Sequence, residues 1–178
     1  MINWNDFEHI HVIKKLKHVL HTWWNIDIVF TDERGHLKGL EGDKVNYANP
    51  AVNYLVNKES SQADLATVVS ASIEKLRQTN GKCDLQKWEL AGFDMCVFPI
   101  IIENDYVGSV TALGFFKDGD FAQSIAEVQN KLAAIGCSSE LIEKSVKKLQ
   151  YLDDTNTAHF TELVELVSQE IVTLHVEI

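Results

Sequence analysis

Hydrophobic and polar positions divide this chain into helical stretches toward both ends and a strand-rich centre. From Phe7 to Trp24, apolar residues recur at Ile10, Ile13, Leu16, Leu20 and Trp23, spacings that predict an amphipathic helix delivering Trp23 and Trp24 to the fold. Ile26, Ile28 and Phe30 then alternate with Asn25, Asp27 and Val29, and Thr31-Asp32-Glu33-Arg34-Gly35 supplies turn chemistry before a short strand around His36 to Leu40. Together these read as a first hairpin, with Asp32 as a turn former. Asn49-Pro50 opens a short helix carrying Val52, Leu55 and Val56. Ser61 with Asp64 resembles a capping box, followed by a stripe through Leu65, Val69, Ile73 and Leu76 that stops at Asn80-Gly81.

The centre, Trp88 to Phe116, carries two apolar runs around an acidic turn. Met95 to Ile102 is apolar throughout, β-branched in part and contains Pro99, so it predicts a buried strand with an edge or bulge at the proline. After Glu103-Asn104-Asp105 the chain returns through Tyr106, Val107, Val110, Leu113 and Phe115 as an antiparallel strand. Whether the turn has two or three loop residues decides which strand face would carry a pocket, because a shift of one inverts every side chain. Further on, Asp120 with Gln123 starts a helix with its stripe at Ile125, Val128, Leu132 and Ile135, ended by Gly136. Ser138 or Ser139 caps another around Leu141 to Tyr151, which Asp153-Asp154-Thr155 breaks. In the last helix Phe160, Val164, Val167, Ile171, Leu174 and Ile178 alternate by four and three, a coiled-coil seam that predicts a connector or a dimer contact. Packing of that helix on the chain's own core is the alternative.

With 178 residues, the chain supports one core, read here as a domain over 1–152 followed by a connector helix over 153–178. Acidic residues outnumber Lys and Arg by 26 to 16, a balance that repels phosphate backbones, so no direct nucleic-acid contact is expected. No apolar run approaches the roughly 20 residues that cross a bilayer, and MINWNDFEHI is not a signal peptide, so a cytoplasmic protein without a membrane contact is expected. Cys83, Cys96 and Cys137 are odd in number and unpatterned, which fits reduced thiols.

Catalytic patterns are missing: there is no G-x-S-x-G, no phosphate-binding Gly-rich loop with Lys and Ser or Thr, and no G-x-G-x-x-G. His11, His18 and His21 share a helical face but lack the further ligands of a zinc site, so no metal and no cofactor is expected. Cys83 and Cys96 form a conceivable redox pair, yet nothing adjacent in sequence lowers a thiol pKa. The aromatic residues are the better lead. Trp24, Phe30, Trp88, Phe93, Asp94, Cys96, Phe98, Thr111 and Phe115 are candidates for a small-molecule pocket on the concave side of the sheet.

NIDIVFTDERG at 25–35 and AGFDMCVFPIIIENDYVGSVTALGFF at 91–116 resemble the PocR-like branch of GAF/PAS-type sensory domains that precede the ATPase of sigma-54-dependent transcriptional activators. LVELVSQEIVTLHVEI at 163–178 is similar to the helix leading from such domains to the effector. The resemblance covers about half the chain. It implies an α/β fold, a central antiparallel sheet of five or six strands with helices on one side and at both ends, and a regulatory module rather than an enzyme. It implies a homodimer that binds a small molecule or partner and transmits the change through the last helix to an effector. One departure is Trp88-Glu89-Leu90, which stands where relatives often carry cysteine. A pocket filled by Trp88 would leave a dimerisation or protein-docking module.

Overall fold

The computed structural model describes residues 11–38, 47–117 and 120–177. The amphipathic helix expected from Phe7 to Trp24 is α1, His11–Trp24, with Phe7 and Ile10 outside the described residues. There follow β1, Asp27–Asp32; β2, Leu37–Lys38; α2, Pro50–Val56; α3, Glu59–Thr79; β3, Asp84–Lys87; β4, Asp94–Ile102; and β5, Asp105–Phe116. The chain ends in α4, Phe121–Ala134; α5, Ser139–Val146; β6, Gln150–Tyr151; and α6, Asp154–Glu177. The fold is mixed α/β, as expected. Its sheet has the order β2-β1-β5-β4-β3, antiparallel throughout, with β6 added parallel to the end of β5.

Local chemistry places most of these boundaries. Asn49 caps α2 by accepting the Ala51 N–H, Asp120 caps α4 through the Gln123 N–H and Ser138 caps α5 through the Leu141 N–H. Gly136, at φ 96°, ends α4 in a Schellman pair in which its N–H bonds the Ala133 carbonyl and the Cys137 N–H bonds that of Leu132. Asn80 ends α3 in the left-handed conformation. Two expectations need correction. Helix α3 begins at Glu59, before Ser61, which lies buried inside it. Helix α5 ends at Val146, and Gln150–Tyr151 is a strand because its backbone joins Phe115 and Phe116. Strand β3, which the polar run Asp84–Lys87 did not announce, pairs with β4 as an edge.

The central turn has two loop residues. Glu103 and Asn104 both have positive φ, at 53° and 69°, and Ile102 faces Asp105, the geometry whose twist suits an antiparallel hairpin. Register shifts at Asp94/Met95 and Ile100/Ile101 skip Gly114 and Val107, so the bulges lie in β5, the second opposite the β4 segment just after Pro99. Pro99 also lies beyond Val97, where the β3 ladder ends, so its missing N–H disturbs no β3 pair.

Helices cover both faces of the sheet, not one. On one face α1 and α6 pack over Ile26 just before β1, Ile28 and Phe30 of β1, Cys96, Phe98 and Ile100 of β4, and Val110, Ala112 and Phe115 of β5. On the other, α2, α3, α4 and α5 cover Val29, Met95, Val97 and Leu113 together with Trp88 and Phe93. The strict alternation along β1 and β4 therefore sends side chains into two separate cores. Each fully buried aliphatic or aromatic side chain contributes about 1.5–3 kcal/mol through removal from water.

The seam on the last helix has a use within the chain. Phe160, Val164, Val167 and Ile171 are at most 1% exposed and lie in the first core, with Phe160 edge-on to Phe98 and tilted against Phe115. A dimer contact through those four residues would require the core to open, which corrects the expectation of a free seam. The Leu174 side chain and Ile178 lie outside the described residues.

Candidate functional site

Asp27 is the most deeply buried carboxylate on β1. Alternation with Ile26 and Ile28 would turn it to water if one sheet face were solvated, yet it is fully buried. Its Oδ1 accepts the Ala48 N–H at 2.6 Å and stands 2.9 Å from His21 Nε2, while its Oδ2 accepts the Asn49 N–H at 3.0 Å. Asn49 in turn donates its side-chain amide to the Ser145 carbonyl at 3.1 Å. One carboxylate thus ties α1, β1 and the start of α2 together, and Asn49 extends the tie to α5. This cluster was invisible to periodicity because a buried charge needs partners from distant segments.

The nine pocket candidates do not converge on one cavity. Trp24, Phe30, Cys96, Phe98 and Phe115 belong to the core under α1 and α6, whereas Trp88 and Phe93 belong to the opposite one. Thr111 faces that second core too, since its cross-strand partners Val29 and Val97 are there. It ends a buried hydroxyl row in which Thr31 and Ser109 are 2.6 Å apart and Ser109 and Thr111 3.0 Å apart. Asp94 sits at the end of β4 and accepts the Lys117 N–H at 2.8 Å. The expectation of a shared small-molecule pocket fails because the sheet is packed on both sides. Trp88 fills its place completely and donates its indole N–H to Asp64 at 2.7 Å.

A recess of about 950 Å³ lies elsewhere, on the outside, between the β1–β2 turn and α3. Glu33, Arg34 and His36 line it from the turn and Gln62, Glu74 and Arg77 from the helix. The turn is held by Asp32, whose Oδ1 accepts the N–H groups of Arg34 at 2.9 Å and His36 at 3.0 Å, so its reading as a turn former is correct. Gly35, at φ 83°, lets the turn press on α3: a Cβ there would lie 2.3 Å from the Ala66 carbonyl oxygen. The lining is mixed, with Arg77 and Glu74 3.5 Å apart beside the apolar Leu37, Ala63, Ala66 and Ile73.

The histidines of α1 point to different tasks. His18 contacts Thr22 at 3.4 Å and His21 meets Asp27, while the His11 side chain lies outside the described residues. Among the described residues no group of three or more His, Cys, Asp or Glu is arranged to hold a metal ion, and no helix is long and apolar enough to cross a membrane.

Comparison of the chain with protein-family models, curated proteins and solved structures finds no match.

Proposed function

We propose that this chain is a regulatory module of the GAF/PAS type that works by contact with other polypeptides, a second copy of itself included, and not by enclosing a small molecule. The observation that carries this reading is the filling of both sheet faces: the aromatic residues that would line an internal site are at most 6% exposed and packed in two separate cores. The resemblance of residues 25–35 and 91–116 to PocR-like sensory domains supports a place in bacterial-type transcription regulation, upstream of an effector such as the ATPase of a sigma-54-dependent activator. Its setting would then be the cytoplasm.

In this reading α1 and α6 form the output layer, because they pack against each other and share one core. Their outward surface still offers Trp23 and Leu166, 67% and 50% exposed, to a second copy. A second reading, small-molecule sensing, is favoured only by the recess between the β1–β2 turn and α3. Sedimentation velocity and native mass spectrometry of the protein purified without added ligand test both. The expected result is a dimer of bare chains that Leu166→Lys shifts toward monomer. A monomer at high micromolar concentration would remove self-association, and a small molecule retained at unit stoichiometry would overturn the ligand-free reading.

A further inference from the structure

Two of the three cysteines meet at the β3–β4 edge. Leu85 pairs with Cys96 and Asp84 with Val97, so Cys83, one residue before the ladder, comes to the same face of the sheet as Cys96. Both side chains join the core beneath α1 and α6, Cys96 buried within it and Cys83 half-buried at its margin. The register makes the two side chains diagonal neighbours on one face of the ladder. Cys83 follows Asn80-Gly81, outside every strand pair, so it can close the remaining gap without breaking the ladder. Strand β3 lies at the edge of the sheet, which leaves Cys83 open to solvent on one side.

We propose that Cys83 and Cys96 are a peroxide-reactive dithiol that closes to an intramolecular disulfide. Cys83, half-buried at the sheet edge where Cys96 is buried, is the attacking thiol, and the neighbouring Cys96 lowers it to about 7 against the opposing effects of burial and of the Glu165 and Asp84 carboxylates. Cys96 is held as the thiol, raised by the neighbouring Cys83 and by burial. The Cys83 thiolate attacks the terminal oxygen of a hydroperoxide, forming a sulfur–oxygen bond as the O–O bond breaks and alkoxide, or hydroxide from hydrogen peroxide, leaves and takes a proton from water, and Cys83 becomes a sulfenic acid. The Cys96 sulfur then attacks the Cys83 sulfur, and its proton leaves with the displaced hydroxide as water. The sum is two thiols and one hydroperoxide giving a disulfide, water and the corresponding alcohol or a second water. The step removes a negative charge beside Glu165 of α6 and fixes the α3–β3 connection to β4.

The chemistry is independent of the function proposed above. Hydrogen peroxide added to the whole chain, followed by intact mass and non-reducing peptide mapping, tests it. The expected product has lost two hydrogens, links the Cys83 and Cys96 peptides within one chain and keeps Cys137 free. Cys83→Ser should abolish the link, and Cys96→Ala should leave a Cys83 sulfenic acid that dimedone traps. A measurement on the unaltered protein covers the event that a variant misfolds: iodoacetamide should label Cys83 at least about tenfold faster than Cys137, whose thiol burial raises. That rate should climb as pH rises through about 7 and then level off, because the thiolate is the reacting form. Overoxidation of Cys83 with no link to Cys96, a link between chains only, or equal labelling of Cys83 and Cys137 would each overturn the proposal.

Discussion

Asp27 shows what a single residue does here when burial and charge oppose each other. Among the described residues its desolvation is offset by two backbone N–H groups and His21. Asp27→Asn keeps the shape but turns one acceptor into a donor that faces a backbone N–H. The expected loss is roughly 2–4 kcal/mol in urea unfolding, with the start of α2 loosened. Alternation along β1 located Ile28 and Phe30 correctly in a core but gave no warning that Asp27 is buried, because its partners lie 21 and 22 residues further on. The thiols are a similar case. Nothing adjacent in sequence lowers Cys83, yet Cys96, brought across by the β3–β4 register, does.

At the level of elements, caps and stops were legible because they depend on a few neighbouring side chains, as at Asn49, Asp120 and Gly136. Strands β3 and β6 were not, since both are short and owe their existence to partners in β4 and β5. The 3.5-residue seam of α6 was read correctly as apolar and assigned the wrong neighbour, because a helix lying along a sheet and a helix in a coiled coil ask for nearly the same stripe. Its residues now divide by role. Ile171→Ala should destabilise the chain by about 2–5 kcal/mol in chemical denaturation, the usual loss for a buried aliphatic side chain. Leu166→Lys, on the outward side, should leave the midpoint nearly unchanged while it alters association.

Across the whole molecule, one sheet separates two cores and couples them. Trp24 lies in one, bonded to Asn156 at 3.4 Å, and Trp88 in the other, bonded to Asp64. Because β1, β4 and β5 contribute to both, neither core can be lost alone. The indole N–H resonances of Trp24 and Trp88 should therefore vanish at the same urea midpoint, and separate midpoints would show that the faces melt independently. The α/β class was legible from local patterns, whereas the two-sided covering was not, since it depends on which helix crosses to which face. The pairing of β1 with β5 has a consequence for the order of events at synthesis. Thr31 and Ser109 stand 78 residues apart, so β1 leaves the ribosome several seconds before its partner, at a pace of roughly 5–20 residues per second. Over that interval Ile28 and Phe30 lack the β5 neighbours that cover them in the finished sheet, so this apolar strand edge is open until β5 emerges.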